Sequence, residues 1–406
     1  MEHNSQPDIN IGTCGHVAQG KSTLIKSITG ISPMRYKSEK LKNLTIKLGY
    51  ANSIIYKCNC DGFNSYKCNI KEKICNKCGS EYQKQKNISF VDCPGHQSFM
   101  GTMLNGACLM DVALLVISAS DECPQPQTVE HLKALTVMGV KKIIILQNKI
   151  DLVNKEGALK SLKEIKKFIN GTIAENSPII PISAQLGINI NIVLHYICQI
   201  NNIERNINEN PRMVIVRSFD INNPNIDYKK MKGGVIGGSL TQGKLKIGDK
   251  IVIKPGLKIG NEYKKIPSEI ISIKSDEIFL DEAIPGGLVG IELTIDPFLT
   301  SSDKLIGNFL ELQEIKDENI SSITLEYHQL KDTHKIKKNE NLILNIYSSN
   351  IQAKIVSKYR EGDQKFIKLC DFSKPVYTGK GENITLLQRF DNRNHLFGFG
   401  IVKDIN

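Results

Sequence analysis

The chain has no apolar run long enough to span a bilayer. Its opening residues, MEHNSQPDIN, carry neither the basic nor the apolar region of a secretory signal. Both absences argue against membrane and exported classes, so a cytoplasmic protein with no membrane partner is expected. A disordered chain's shortage of apolar residues is missing too: 40% are hydrophobic and 23% charged, enough for ordinary cores. An acidic balance is also lacking. Lys and Arg number 53 against 42 Asp and Glu, a formal charge of +11, which favours a polyanionic partner such as nucleic acid. Lys, Ile and Asn are abundant throughout, however, and that bias alone produces the same total. At 406 residues the chain exceeds one hydrophobic core, so two or three domains are expected.

What is present begins with INIGTC (residues 9–14), which reads as a buried strand, and a helix over Lys21 to Gly30. Between them lies G-x-x-x-x-G-K-[ST], filled by Gly15, Gly20, Lys21 and Ser22. Glycines let backbone N–H groups converge on phosphate oxygens, the lysine neutralises the β and γ phosphates, and the hydroxyl ligates Mg²⁺. Nucleotide contacts are expected from Gly15, Ala18, Gln19, Gly20, Lys21, Ser22 and Thr23. ISFVDCPGH then places Asp92 at a strand end, suited to hold Mg²⁺ through its water shell, and Gly95 where its N–H faces a γ-phosphate. His96 follows on a segment whose position would depend on the nucleotide. IIILQNKID ends a third strand with Asn148, Lys149 and Asp151, a set that selects guanine and hence GTP and GDP over adenine nucleotides. IIPISAQ offers Ser183, Ala184 and Gln185 beside the guanine O6. The alternation of strands and helices predicts an α/β P-loop GTPase domain with a doubly wound, mostly parallel sheet. In the segment KEGALKSLKEIKKFIN, Leu159, Leu162, Ile165 and Phe168 or Ile169 are expected to share the buried helix face.

Five of the eleven cysteines fall between residues 58 and 78. Reduced thiols that cluster are read as metal ligands before disulfides. CNKCG has the form of a zinc knuckle, so Cys75 and Cys78 are expected to bind zinc with two of Cys58, Cys60 and Cys68. A structural rather than catalytic zinc is implied, since every candidate is a thiol.

From residue 211 the pattern changes to short alternating strands with glycine turns, predicting antiparallel barrels. The expected domains are 1–205, with the knuckle-like insert at 57–82, then barrels at 206–311 and 312–406.

The segments IGTCGHVAQGKSTLIKSITG, NLTIKLGYAN, SFVDCPGHQSFMGTMLNGACLMDVALLVISA, QNKIDLV, NSPIIPISA and KGGVIGGSL together resemble the gamma subunit of eukaryotic and archaeal translation initiation factor 2. The likeness covers most of residues 8–310 and thins beyond about residue 312. It implies a GTPase that carries initiator methionyl-tRNA to the small ribosomal subunit, joined to alpha and beta subunits and served by GTPase-activating and exchange factors. It also implies that Ser22 and Thr45 ligate Mg²⁺, that His96 orients the attacking water, and that Asn43 and Tyr50 lie toward the tRNA acceptor end. A packed core position is the other reading of Tyr50. Some family members carry the zinc knuckle. Gln19 departs from the family's usual His, and slow unaided hydrolysis is expected. The alternatives are a free-standing elongation or selenocysteine-type GTPase, and a scaffold that holds GTP without switching.

Overall fold

The computed structural model describes residues 6–33, 45, 47–96, 99–201, 203–223, 225–315, 320–330, 333, 335–390 and 393–406. The chain divides into two compact units, Met1–Glu204 and Arg205–Asn406. Among the described residues no helix is long and apolar enough to cross a membrane.

The first unit is built on a seven-stranded sheet. Its strands are β1 (Ile9–Cys14), β2 (Gly49–Lys57), β3 (Tyr66–Lys67), β4 (Gln83–Asp92), β5 (Val112–Ser118), β6 (Lys142–Asn148) and β7 (Ile179–Pro181), in the spatial order β3-β2-β4-β1-β5-β6-β7. β1 runs parallel to both β4 and β5, and β5, β6 and β7 are parallel in turn. β2 and β3 form an antiparallel edge. Every residue of β1 and β5 is buried, as expected of strands covered on both faces. Ile11, Phe90, Leu114 and Leu146 meet Leu24, Ile25 and Ile28 in one core. The latter three belong to α1 (Lys21–Thr29), whose last turn closes when the Gly30 N–H, in the left-handed region at φ 72°, donates to the Lys26 carbonyl.

Among the described residues, the remaining α-helices of this unit are α2 (Met100–Ala107), α3 (Pro126–Val137), α4 (Lys155–Ile169) and α5 (Ile190–Cys198). Asn154 caps α4 by accepting a 2.8 Å bond from the Gly157 N–H. The buried stripe of α4 is Ser161, Ile165 and Ile169, with Leu162 and Phe168 half-buried beside it. Leu159 is 50% exposed, a correction to the helical face expected from its spacing. The covered side of the helix runs through positions 161, 165 and 169 at i, i+4 spacing, which leaves Leu159 on its margin.

The second unit contains two closed six-stranded antiparallel barrels. The first is ringed by β8 (Arg212–Phe219), β9 (Val235–Gln242), β11 (Lys250–Ile259), β12 (Glu262–Ser275), β15 (Val289–Leu293) and β16 (Phe309–Leu312). β10 (Leu245–Lys246) pairs with β14 (Glu282–Ala283), and β13 (Ile278–Leu280) extends β12. The second is ringed by β17 (Ile323–Gln329), β18 (Asn341–Ile346), β19 (Ser349–Glu361), β20 (Gln364–Cys370), β21 (Asn383–Phe390) and β22 (Arg393–Ile405). Alternate inward residues fill each interior: Met213, Ile236 and Ile291 in one, Leu325, Leu344 and Leu386 in the other.

A buried polar joint ties the barrels. The Arg212 guanidinium on β8 donates to Glu311 on β16 at 2.7 and 2.6 Å. It also donates to Tyr347 Oη at 2.6 Å and to Glu382 Oε1 at 3.1 Å, both in the second barrel. Lys254 Nζ holds the other Glu311 oxygen at 3.0 Å.

Candidate functional site

The loop between β1 and α1 bends because Gly15, Ala18 and Gly20 take φ of 137°, 60° and 94°. Successive left-handed turns of this kind point backbone N–H groups into one concavity, the form of an anion nest. A Cβ on Gly20 would lie 2.3 Å from Asn148 Nδ2, so a larger residue would push the loop after β6 away. Lys21 is buried, and its ammonium donates to the carbonyls of Gly15 at 3.0 Å and His16 at 2.7 Å. Gly95 closes over the same loop. A Cβ there would come within 2.5 Å of Lys21 Nζ and 2.9 Å of the Val17 nitrogen.

Three hydroxyls converge on Asp92 at the end of β4. Ser22 Oγ donates to Oδ2 at 2.5 Å, Thr45 Oγ1 to Oδ2 at 3.2 Å, and Thr13 Oγ1 to Oδ1 at 2.9 Å. Ser22 and Thr45 are themselves 3.1 Å apart. Burial raises the Asp92 carboxyl above its ordinary range, while the Ser22 bond, the Lys21 charge and the Thr13 and Thr45 bonds pull it back. The hydroxyl oxygens of Ser22 and Thr45 are hard donors close to the spacing of octahedral neighbours, roughly 2.9 Å for a small cation bound at about 2.1 Å, and the Asp92 carboxylate beside them is placed to hold such an ion's water shell. Mg²⁺ therefore fits this donor set.

On the other side of the loop, Asn148 at the end of β6 is held twice. Its Oδ1 accepts from the Ala184 N–H at 2.9 Å and its Nδ2 donates to the Gln19 carbonyl at 2.8 Å. Lys149 adopts φ 62°, and Asp151 is exposed in the short turn Ile150–Leu152. Ser183 is buried with its N–H and carbonyl paired to Ile188, and Gln185 is exposed. The structure thus brings together the phosphate-loop residues, Asp92, Gly95, Asn148 and Ala184. His96 follows Gly95 as an exposed residue with its ring 5.9 Å from that of Phe99. Tyr50 lies on β2 opposite Val91 and is half-buried. Asn43 lies outside the described residues.

Gln19 is fully buried, and its side chain points to the end of β5. Its Oε1 accepts a short bond from the Ser118 N–H and its Nε2 donates to Asp121 at 3.0 Å. Together with the Asn148 bond to its carbonyl, this makes Gln19 a brace between the loop before α1 and the ends of β5 and β6.

Sequence reasoning missed Thr13, Ser118, Asp121 and His131. His131, a lone histidine on α3, accepts a 2.9 Å bond at Nδ1 from the Gly15 N–H. That bond requires a neutral ring with its proton on Nε2. Burial first, then the charges of Lys21 and His16, push its pKa down to about 3. A histidine that resists protonation when folded gives stability that is complete above pH 6.5 and lost as pH falls from there toward 3. Acid unfolding of the full chain will therefore steepen below pH 6.5. His131→Gln, which still offers an acceptor to Gly15, will remove up to one proton of that slope, about 1.4 kcal/mol per pH unit. An unchanged slope in the variant would show that other groups carry the acid sensitivity.

The cysteine cluster sits beyond β2. The sulfurs of Cys58, Cys60, Cys75 and Cys78 all lie within 4.8 Å of one another, and Cys60 to Cys75 is 3.7 Å. A tetrahedral zinc with bonds near 2.3 Å needs sulfurs roughly 3.8 Å apart, so the set fits that metal. Ser80 ties the two knuckles by accepting from the Asn59 N–H at 3.0 Å and lying 3.1 Å from the Cys78 sulfur. Cys68, the fifth candidate, is outside the cluster and packs against the domain core, where burial pushes its thiol up to about 12.

Residues 6–202 match the family described as "Elongation factor Tu GTP binding domain", and residues 316–402 match "Initiation factor eIF2 gamma, C terminal". The second match lies where the sequence likeness alone thinned. The chain is 42% identical to "Eukaryotic translation initiation factor 2 subunit gamma" of Encephalitozoon cuniculi, over 98% of this chain and 93% of that one. It is 41% identical to "Translation initiation factor 2 subunit gamma" of Methanococcus maripaludis, over 99% and 100%. In fold it is similar to a solved structure of the elongation factor SelB from Methanococcus maripaludis in complex with the GTP analogue GppNHp. The TM-score is 0.73 at 21% identity, with 100% of this chain and 80% of that one covered. A bacterial selenocysteine-specific elongation factor, EF-Sec, gives a TM-score of 0.73 at 23% identity over 98% and 58%. The GTPase domain, the paired barrels and full-length identity above 40% to named initiation factor subunits lead to one assignment: the chain belongs to the gamma-subunit family of translation initiation factor 2.

Proposed function

We propose that the chain is the GTP-binding core subunit of translation initiation factor 2, carrying initiator methionyl-tRNA to the small ribosomal subunit with GTP bound and releasing it after hydrolysis. One observation carries this reading above the others: Thr45, from the segment before β2, meets Ser22 and Asp92 at a single point. A ligand centred there binds more tightly with that segment in place, which is the requirement for a nucleotide-driven switch. Ser22 and Thr45 would hold Mg²⁺, with Asp92 behind its water shell, and the ion would supply positive charge against the phosphates. The loop N–H groups and Lys21 bind the phosphates, Asn148, Asp151, Ser183 and Ala184 select guanine, and His96 orients water. Asn43 and Tyr50 lie toward the tRNA acceptor end. The proposed domains are 1–205, 206–311 and 312–406, in a cytoplasmic heterotrimer with alpha and beta subunits. The free-standing elongation-factor reading is set aside, because the relatives named as elongation factors share only 21–23% identity and support the fold alone.

The test is the affinity of the chain, with its partner subunits, for initiator methionyl-tRNA in a GTP-analogue state and in GDP at fixed salt. A tenfold preference, about 1.4 kcal/mol of coupling, is expected. Equal affinities would leave a scaffold. Unaided turnover should be slow and rise with an activating protein. His96→Ala is expected to lower activated turnover by about 100-fold with nucleotide affinity within twofold, as suits a residue that positions water. Tightened nucleotide binding without loss of turnover would remove His96 from that role.

Structural zinc in the Cys58, Cys60, Cys75 and Cys78 set is part of the same reading. Purified protein should carry about one zinc per chain, and a Cys75→Ser, Cys78→Ser double variant should carry none and melt at lower temperature. Full zinc in the double variant would place the metal elsewhere.

A further inference from the structure

A chain of hydrogen bonds through Gln19 and Asn148 joins segments that lie far apart in the sequence. Gln19 Oε1 accepts from the Ser118 N–H, its Nε2 donates to Asp121 Oδ2 at 3.0 Å, and its carbonyl accepts from Asn148 Nδ2 at 2.8 Å. Asn148 Oδ1 in turn accepts from the Ala184 N–H at 2.9 Å. Gln19 is fully buried, whereas Asp121 is exposed. β1 lies between β4 and β5 in the sheet, so the amide, at the end of β5, is on the other side of β1 from Asp92 at the end of β4.

A carboxamide suits this joint because its donor and acceptor are fixed on one flat group, and both are used. Losing it would leave the Ser118 N–H buried without a partner, so the arrangement resists loosening. The backbone of residue 19 is thereby held where its carbonyl meets Asn148. Gly20 follows at such close range that a Cβ there would lie 2.3 Å from Asn148 Nδ2. The spacing between the loop before α1 and the loop after β6 is set at this point.

We propose that Gln19 is the positioning residue that sets how long a bound guanine nucleotide stays, by holding the phosphate-binding loop and Asn148 at one spacing. The assignment rests on the GTP-binding reading given above. A nucleotide gripped at both ends by preset anchors must break both grips to leave, and a site whose anchors drift apart lets go of one end at a time. Loss of such preorganisation appears mainly in the dissociation rate. The chemical step uses the other side of the loop, where Ser22 and Thr45 meet Asp92, and does not depend on the amide.

The test follows association and release of a fluorescent GDP analogue by stopped flow, using the full chain and its variants. Gln19→Met keeps the buried volume while removing donor and acceptor, and should quicken release by about tenfold or more with association within about threefold of the parent. Gln19→His keeps one acceptor and one donor on a neutral ring, and should bring release back to within about threefold of the parent. Asp121→Ala leaves the Ser118 bond and should quicken release by about threefold, with no further gain when added to Gln19→Met. Single-turnover hydrolysis of bound GTP should stay within about threefold in every variant, and a larger change would move Gln19 to the chemical step and overturn the proposal. Melting temperatures are read in parallel. A Gln19→Met chain that melts lower yet releases GDP at the parental rate would make the brace a feature of the fold alone, which also overturns it. So would release from Gln19→His as fast as from Gln19→Met, or additive effects of the two changes in the double variant. If Gln19→Met does not fold, Asp121→Ala decides, and parental release from it overturns the proposal. A parent chain that binds no GDP would overturn the GTP-binding reading itself, an outcome distinct from all of these.

Discussion

Lys21→Met will lower GTP affinity by roughly 100- to 3,000-fold while the chain remains folded. Lys21 is the buried cation of the phosphate loop, and its ammonium is held by the loop's own Gly15 and His16 carbonyls. Burial depresses its pKa, with the Asp92 charge acting the other way. Phosphate oxygens would enter this pocket as the anion that the cation has been desolvated to meet. Removing one partner of such a pair leaves the other charge uncompensated, at a cost of about 3–5 kcal/mol, and each 1.4 kcal/mol is tenfold in affinity. Methionine keeps the stem and removes only the charge. Titration with a fluorescent GTP analogue gives the affinity, and far-UV circular dichroism checks the fold. A loss under threefold would mean that the nest between β1 and α1 is not where the phosphates bind.

The second large effect is on stability. Glu311→Ala will destabilise the barrel pair by about 3–5 kcal/mol, because the side chain is only 5% exposed and holds two cations. Lys254, 2% exposed, and Arg212 would both lose their shared carboxylate. Arg212 would still have Tyr347 and Glu382, and its guanidinium lies over the rings of Phe309 and Tyr347 at 5.3 and 5.5 Å. An apolar triple variant, Arg212→Met with Lys254→Met and Glu311→Leu, should recover most of the loss, since the one carboxylate it strands, Glu382, is 31% exposed and still accepts from Tyr347 and Thr378. Urea unfolding of the three proteins separates these outcomes. If Glu311→Ala costs less than 1 kcal/mol, water reaches the joint and the buried ion cluster carries little of the barrels' stability.

The parts of the site that were legible in the sequence are those in which local spacing dictates local geometry. The phosphate loop, Asp92 at the end of β4 and Asn148 at the end of β6 each lie within a few residues of the strand that aims them. His131 and Asp121 were not legible in the same way. Each reaches the loop across more than 100 residues, and the sequence around them reads as an ordinary helix and turn. Gln19 was visible as an unusual residue, but its two amide bonds depend on the end of β5, which sequence does not place. The zinc-like set shows the same limit. Spacing picked Cys75 and Cys78, and only the fold separated Cys58 and Cys60 from Cys68, which is turned into the core. Leu159 failed for a related reason: periodicity finds a stripe, while the neighbouring sheet decides which side of that stripe is covered.

The pairing of β2 with β4 sets a mechanical limit on the nucleotide site. Gly49 is in register with Asp92, so the strand that follows Thr45 is pinned opposite the carboxylate that Ser22 and Thr45 contact. Thr45 is four residues from that pin, a leash of roughly 13–14 Å at full extension. Thr45 stays within that radius of Gly49 as long as the β2–β4 ladder holds. The hinge is then set by hydrogen-bond register, and a one-residue slip of β2 would change the leash length and disengage Thr45.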